Sequence, residues 1–214
     1  MNDIIQTITV YAIPVIFAIT LHEAAHGYVA RYFGDATAYL QGRVTLNPLK
    51  HVDPIGTIVM PLVLAFLPFG FVFGYAKPVP VNFANLRNPK RDMIWVALAG
   101  PVSNLIQALL WVLFAIVANR VGVKEPFVDE VVRAGLLVNC VVAAFNLVPV
   151  PPLDGGRVLM GLLPLRASVA YGRLEPYGFF VVLALAATGV LNVWMSPIVN
   201  GMRNVTLLLA SPLF

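Results

Sequence analysis

Long apolar segments separated by short polar connections make up most of the chain. The first runs from Ile4 to Phe33 and the clearest later one from Met93 to Ala118. Each exceeds the roughly 20 residues that a membrane-spanning helix needs. Further apolar segments follow at Val131–Val148, at Pro176–Met195 and, more weakly, at Pro197–Leu213. We therefore predict an all-α polytopic membrane protein with about five to six membrane helices.

The apolar segment Ile55–Tyr75 is interrupted by prolines and glycines, which suit a segment that re-enters the surface it left. If it re-enters, only four of the 14 lysine and arginine residues lie on the opposite side of the membrane. Those four are Arg120, Lys124, Arg133 and Arg203. A single crossing would divide the 14 basic residues evenly and leave no bias. The re-entrant interpretation is favoured, and the positive-inside rule makes the more basic side cytoplasmic.

A polar, turn-rich connection, Leu40–Pro54, follows the first apolar segment. Within it Arg43–Leu46 alternates weakly between polar and apolar residues, as a strand does. Lipid does not tolerate an open strand edge, so this strand would lie at the surface or be covered by protein. Lys77–Asn82 is a second candidate edge, although Pro78 and Pro80 limit it to edge pairing. We predict a small β element near the cytoplasmic face.

Composition agrees with a membrane protein of one domain, residues 1–214. The chain is 59% hydrophobic and 11% charged, with a mean hydropathy of +0.84, whereas soluble domains carry about 25% charged residues. The net charge of +4 comes from residues in the connections, and no basic patch with interleaved aromatic residues occurs, so we expect a lipid bilayer and no nucleic acid as partner. The single cysteine, Cys140, excludes an intrachain disulfide.

The first apolar segment contains the sequence His22-Glu23-Ala24-Ala25-His26. Residues four apart lie on one face of a helix, so His22 and His26 can both turn a ring nitrogen toward one metal ion. Zinc peptidases use such a pair together with a neighbouring glutamate that acts as general base. The motif also occurs by chance in soluble helices. In a membrane helix, however, ionisable residues cost about 2.5–3.5 kcal/mol or more each, and their presence indicates a function.

A catalytic zinc ion usually has three protein ligands and one open position. The residues alone leave four candidates for the third ligand: His51, Asp53, Asp154 and Glu175. Asp154 is the acidic residue nearest the end of an apolar segment, on the same side as His26 in the re-entrant topology. It also lies in a turn-rich stretch, where an aspartate is equally suited to begin a helix.

Three motifs occur in order: His22–His26, Gly-Pro-x-Ser-Asn at Gly100–Asn104, and Asn-x-x-Pro-x-Pro-Pro-Leu-Asp-Gly-Gly at Asn146–Gly156. Together they resemble the site-2 protease family of intramembrane zinc metallopeptidases. Residues Gly42–Pro48 and Lys77–Asn82 resemble the small prokaryotic branch of that family. No stretch is long or polar enough for the PDZ or CBS domain of larger members.

The resemblance implies a zinc metalloendopeptidase with one Zn²⁺ per chain. The zinc ligands that it implies are His22, His26 and Asp154. It implies Glu23 as the general base, and it suggests that Asn104 and Asn146 lie near the site as substrate or oxyanion contacts. For these two asparagines, hydrogen bonding between helices is the alternative.

The expected activity is regulated intramembrane proteolysis, the hydrolysis of peptide bonds in or near the transmembrane segments of other proteins. We expect a multi-pass protein of the cell membrane with its active site toward the cytoplasm. A transmembrane protein substrate is the expected partner, and a homo-oligomer is left open. The alternatives are a zinc-binding membrane scaffold without turnover and, less favoured because the chain has no internal symmetry, a metal transporter.

Overall fold

The structure, a computed structural model, describes residues 2–60, 63, 74 and 76–211. Within these ranges it defines the bounds of eight α-helices, and no residue there belongs to a β-strand. The helices are α1 (Asn2–Tyr32), α2 (Thr37–Leu40), α3 (Pro89–Arg120), α4 (Pro126–Asn146), α5 (Asp154–Leu162), α6 (Leu165–Gly172), α7 (Gly178–Ala187) and α8 (Val190–Ala210). The all-α fold is confirmed.

Three segments of the described chain are long and apolar enough to cross a membrane: Ile5–Tyr32, Pro89–Arg120 and Leu165–Ala187. The first two agree closely with the predicted segments Ile4–Phe33 and Met93–Ala118. Helix α4 has 21 residues and a largely apolar sequence, but its first turns carry Asp129, Glu130 and Arg133. The total of five to six membrane helices remains a prediction.

The end of the chain divides at a different residue from the one predicted. We expected a break between Met195 and Pro197, but Pro197 lies inside α8. The break falls at Gly189, which adopts a positive φ of 75° and immediately precedes α8. Glycine takes this backbone conformation without the steric cost of a Cβ atom, whereas a proline within a helix removes only one hydrogen bond when packing supports the helix.

The predicted β element is not found among the residues that the structure describes. Val44–Leu46 forms a bend, and the guanidinium group of Arg43 donates to the carbonyl oxygens of Lys77 (2.9 Å) and Pro78 (3.3 Å). The two connections are therefore joined by this side chain and by a single backbone hydrogen bond, from the N–H of Lys77 to the carbonyl oxygen of His51 (2.9 Å), and not by a ladder. Pro78 and Pro80 have no N–H to donate, which explains why no ladder forms.

The predicted re-entrant segment Ile55–Tyr75 lies largely outside the described residues. Its beginning is a turn of π-helix, Pro54–Val59, and Asp53 caps this turn by accepting from the N–H groups of Ile55 (3.0 Å) and Gly56 (2.7 Å).

The long connection between α1 and α3 begins and ends at the same end of the bundle. Arg87, just before α3, donates its backbone N–H to the carbonyl oxygen of Phe33 (2.9 Å) and its guanidinium group to that of Tyr32 (3.0 Å). The buried carboxylate of Asp35 also accepts hydrogen bonds from the backbone of Asn82 (2.7 Å) and the side chain of Asn85 (3.1 Å). The connection thus ends at the same end of the bundle at which it began, and the re-entrant segment itself remains a prediction.

Helix α3 is the centre of the bundle and packs against α1, α4, α5 and α8. Helix α1 packs against both α3 and α4, which also pack on each other, and α5 packs on the first half of α3. This arrangement brings the histidines of α1 and the first residue of α5 to the same side of α3.

Candidate metal centre

His22 and His26 lie one turn apart on α1 and face the same point. Their Nε2 atoms are 3.1 Å apart, and their rings meet edge to face with centroids 4.7 Å apart. Both side chains are buried, with exposed fractions of 5% and 9%. The local helical period predicted this pairing, and the structure has it.

Asp154, the first residue of α5, completes a cluster of three. Its Oδ2 atom lies 3.2 Å from His22 Nε2 and its Oδ1 atom 3.3 Å from His26 Nε2. The glycines that follow, Gly155 and Gly156, allow α5 to begin directly against the backbone of residues 147–151, because a methyl group at either would overlap that backbone. The four atoms at which these side chains could bind one ion therefore converge on one point.

The other three candidates for a third ligand have different contacts. His51 turns its Nε2 atom toward the carbonyl oxygen of Thr45 at 2.9 Å. Asp53 caps the π-helical turn, and Glu175 pairs with Arg157. Of the four candidates, the structure brings only Asp154 to the two histidines.

The partners of the far ring nitrogens determine which nitrogen carries the proton. His22 Nδ1 lies 2.6 Å from Asn104 Oδ1, and His26 Nδ1 lies 2.7 Å from the carbonyl oxygen of Val96. A carbonyl oxygen only accepts, so each Nδ1 must donate. In a neutral imidazole the proton then sits on Nδ1, and the lone pair of Nε2 points toward Asp154.

The amide of Asn104 is held in the required orientation by two further acceptors. Its Nδ2 atom donates to the carbonyl oxygen of Ala18 at 3.1 Å and to Asn139 Oδ1 at 2.9 Å. Asn139 in turn donates to the carbonyl oxygen of Gly135 at 2.8 Å. Both asparagine side chains are fully buried. The chain of amides therefore fixes Oδ1 of Asn104, not Nδ2, toward the histidine.

This geometry leaves three electron-rich groups facing one another in a buried space. The two Nε2 lone pairs and the carboxylate repel one another unless a cation or an added proton lies between them. Asp154 Oδ2 is buried and accepts no hydrogen bond from any described group. Two imidazole nitrogens and a carboxylate match the ligands of catalytic zinc sites with an open fourth position. The residues present therefore fit a zinc ion.

Gly100 of α3 is the residue that lets the two rings approach this helix. A Cβ atom there would lie 2.5 Å from His22 Nε2 and 2.5 Å from His26 Nε2. No real Cβ atom tolerates such a distance, so any larger residue would displace a ring. The sequence motif contained this glycine, but the sequence alone assigned it no role.

Glu23 is half-buried beside the histidine pair and is held by the backbone of a separate segment. Its Oε2 atom accepts a hydrogen bond from the N–H of Val79 at 2.7 Å. Val79 lies between Pro78 and Pro80, which have no N–H, so it supplies the only backbone donor among these three residues. Residues 77–82 thus contact α1 beside the histidine pair.

A cavity of about 870 Å³ opens beside the cluster, and both His22 and Glu23 line it. The remaining walls come mainly from α1, α4 and α8. Its volume is within the range of about 300–1,000 Å³ that is typical of ligand pockets. A ligand in this cavity could reach the metal cluster and the carboxylate together.

The two asparagines predicted near the site have different positions. Asn104 lies behind His22, and its amide group is fully used there. The geometry therefore favours a role in orienting His22 and gives no support to a substrate or oxyanion contact. Asn146 lines the cavity and donates to the carbonyl oxygen of Val142 at 3.0 Å, while its own side-chain oxygen accepts from no described group. Asn139 was not predicted, although a buried amide in an apolar segment is a signal that could have identified it.

Comparison with known proteins gives an independent result. The family model described as "Peptidase family M50" matches residues 123–189. Over 207 residues the chain is 39% identical to the Bacillus subtilis protein named "Putative zinc metalloprotease YwhC", an alignment that covers 94% of this chain and 91% of that protein. The chain belongs to peptidase family M50, and the resemblance to site-2 proteases is confirmed.

More distant relatives of this M50 chain carry related names. It is 30% identical over 192 residues to "Putative zinc metalloprotease Rip2" of Mycolicibacterium smegmatis, covering 86% of the chain and 69% of the relative. The protein of the same name from Mycobacterium tuberculosis is 27% identical over 186 residues, covering 85% of the chain and 68% of the relative. No solved structure matches the chain. The matched family region contains Asp154, while the alignment with the Bacillus protein covers nearly the whole chain.

Proposed function

We propose that this M50 chain is an intramembrane zinc metalloprotease that hydrolyses peptide bonds in or near the transmembrane segments of other proteins. The observation that carries the proposal is the cluster of His22, His26 and Asp154, with both Nε2 lone pairs turned inward. Glu23 lies beside the cluster, and the cavity makes both accessible to a ligand. The names of the relatives agree with a zinc-dependent protease.

Each residue of the site has a distinct part in this proposal. A bound zinc ion would polarise the peptide carbonyl group and make water a better nucleophile. Glu23 would accept the proton of the attacking water and deliver it to the leaving amine, as a general base and then a general acid. Asn104 holds His22 in the tautomer needed for a ligand. Asn146, in the cavity wall, is placed to hydrogen-bond the substrate through its free oxygen.

We further propose a multi-pass protein of the cell membrane in which residues 1–214 form one embedded domain and the site faces the cytoplasm. The hydrogen bonds that join the end of α1 to the start of α3 support this, because they place the basic segments around Arg31, Arg87 and Arg91 at one end of the bundle. The positive-inside rule assigns that end to the cytoplasm. The partner is a transmembrane substrate, which must unwind locally because a helix hides its carbonyl groups in backbone hydrogen bonds.

Zinc content tests the metal site. Protein purified in detergent is expected to hold about one zinc per chain, and Asp154→Ala is expected to lose most of it because an uncompensated pair of imidazoles is a weak site. Glu175→Ala is the matched control, since Glu175 pairs with Arg157 and is not a member of the cluster. Unchanged zinc in Asp154→Ala, or no zinc in the wild type, would contradict the assignment.

Cleavage tests the enzyme. The wild type is reconstituted in liposomes with single-span reporter proteins tagged at both ends, and cleavage is followed by separation of the tags. Glu23→Gln is expected to retain zinc and to lose cleavage by about 100-fold or more, because general acid–base catalysis contributes about 10²–10⁴-fold. Normal turnover in Glu23→Gln would refute the role of Glu23. Zinc binding with no cleavage of any reporter would favour the scaffold alternative.

A further inference from the structure

Three polar residues form a line along one face of α8. They are Asn192, Ser196 and Asn200, spaced four residues apart, and all three line the cavity that contains His22 and Glu23. We call these three residues the polar stripe. None of their side chains is hydrogen-bonded to another described residue, and all three are exposed to the cavity. Their hydrogen-bonding groups are therefore available to a ligand.

The rest of the cavity lining is mostly apolar, apart from the residues of the site described above. Helix α1 contributes Tyr11, Val15 and Ile19, and α4 contributes residues such as Val138 and Val141. A cavity for an apolar ligand would need no polar wall, and a cavity for a folded helix would gain nothing from free amides, because the backbone of a helix is already hydrogen-bonded. A line of free polar groups within a mostly apolar lining suits a chain whose backbone is exposed and whose side chains are apolar.

The spacing of the polar stripe fits an extended chain. Residues four apart in a helix rise by about 6 Å, at about 1.5 Å per residue. In an extended chain, backbone groups that point to the same side repeat every two residues, about 6.6 Å. The spacing of the three side chains along α8 therefore nearly matches the spacing of backbone groups along an extended peptide. Asparagine supplies both a donor and an acceptor, and serine does the same through its hydroxyl group, so each can bind a peptide N–H or C=O.

We infer that the polar stripe on α8 is a subsite that binds the unwound backbone of a transmembrane substrate segment and leads it to the metal cluster. The inference rests on the proposed protease function and adds the chemical class of ligand. That class is an apolar peptide in extended form, which is recognised by hydrogen bonds to its backbone. Alternate backbone groups bond the polar stripe, while the apolar side chains pack on α1 and α4. This subsite offsets the hydrogen bonds that the substrate helix loses when it unwinds.

Binding to the Glu23→Gln variant tests the inference without any need for turnover. The probe is a fluorescent synthetic 25-residue Ala/Leu peptide with lysines at both ends and a helix-breaking Asn-Pro-Gly centre. A second probe has the same sequence but carries N-methyl groups on three alternate backbone nitrogens beside the centre, which removes the N–H donors. Dissociation constants are measured in nanodiscs for both probes.

The parent Glu23→Gln protein is expected to bind the unmethylated probe at least tenfold more tightly than the methylated probe, a difference of about 1.4 kcal/mol. Adding Asn192→Leu, Ser196→Ala and Asn200→Leu is expected to weaken binding of the unmethylated probe about tenfold and to abolish the difference between probes. Asn204→Leu, on the next turn of α8 and outside the cavity lining, is the matched control and is expected to bind like the parent.

Three results would overturn the inference: equal binding of the two probes by the parent, unchanged binding of the unmethylated probe by the triple variant, or no binding of either probe. The comparison of two probes on one folded protein remains decisive even if the triple variant does not fold. Failure of the proposed function would instead appear as missing zinc or missing cleavage in the wild type, which are measured separately.

Discussion

Gly100→Ala is the change that most directly tests the geometry of the metal centre. The added Cβ atom would lie 2.5 Å from the Nε2 atoms of both His22 and His26, and ordinary contact begins at 3.4 Å. The rings or the helix must therefore move by about 0.9 Å, the difference between these two distances. The rings cannot move away from α3 without lengthening their hydrogen bonds to Asn104 (2.6 Å) and to the carbonyl oxygen of Val96 (2.7 Å), because both partners belong to the same helix as Gly100.

The size of the expected effect follows from the narrow range of metal–ligand distances. Zinc–nitrogen bonds are about 2.0–2.1 Å long, with a tolerance of about 0.2 Å. A displacement several times larger than this tolerance breaks at least one bond. Changes in residues that merely support a ligand cost about 10–100-fold in metal affinity. We therefore expect Gly100→Ala to lower zinc affinity by about 100-fold or more.

The assay is competition for zinc with a fluorescent chelator, combined with elemental analysis of zinc per chain. Gly201→Ala in α8 is the matched control, because a Cβ atom there meets nothing within 4 Å. Replacing a helical glycine by alanine favours the helix by about 1 kcal/mol, so the thermal stability of the zinc-free control is expected to rise slightly. Since the same gain applies at Gly100, lost zinc there cannot be attributed to a weaker helix.

The reasoning is refuted if Gly100→Ala binds zinc as tightly as the wild type. That result would mean that the two rings are not held against α3. The orientation inferred for the histidines, and with it the role assigned to Asn104, would then have to be abandoned.

The remaining predictions concern the groups around the centre. Asn139→Leu removes the acceptor that orients Asn104, so zinc affinity in the same competition assay is expected to fall about tenfold. An affinity equal to that of the wild type would refute the role of Asn139 in orienting Asn104. Val79→Pro removes the N–H that holds Glu23; we expect lower kcat with zinc retained, whereas Val79→Ala keeps the N–H and should keep kcat. Asp35→Asn replaces one accepting carboxylate oxygen by an amide NH₂ group that faces the same hydrogen-bond donors. The free energy of unfolding, measured by denaturation in detergent, is therefore expected to fall by about 1–3 kcal/mol.

Asp35 also gives a pH dependence with a definite sign. Burial alone would raise the pKa of its carboxyl group, but hydrogen bonds from Thr37, Asn82 and Asn85 outweigh burial and hold the pKa below its usual value. The stabilisation is therefore complete above the usual pKa of about 3.9 and is lost as the pH falls below it. Asp35→Asn should flatten this acid limb of the stability profile. An acid limb of unchanged slope in the variant would contradict the assignment.

The parts of the site that depend on local geometry could be predicted from the sequence. The pairing of His22 with His26 follows from the helical period alone, and helix α1 runs over nearly the predicted residues. Asp154 is 132 positions after His22, and no local rule connects them. Their meeting depends on how α5 packs on α3, so the residues alone left four candidates open.

The incorrect predictions also concern features that depend on contacts between segments distant in the sequence. Arg43–Leu46 has the alternation of a strand, but a strand needs a partner, and the nearby segment has two prolines where N–H groups would be required. Proline at position 197 suggested a break that tertiary packing overrides, while Gly189, a less prominent signal, adopts the backbone conformation that ends a helix. The direction of the Asn104 amide depended on Asn139 of another helix and could not be deduced from either residue alone.

The two histidines differ in what holds them, and this makes them unequal as mutational targets. His22 depends on a side chain, that of Asn104, so almost any codon change at position 104 removes its support. His26 depends on a backbone carbonyl oxygen, that of Val96, which every amino acid possesses. A saturation-mutagenesis map should therefore show a nearly invariant position 104 beside a position 96 that accepts other apolar residues. Of two similar histidine ligands, one therefore restricts the amino acid at its supporting position, and the other leaves that position free to vary among apolar residues.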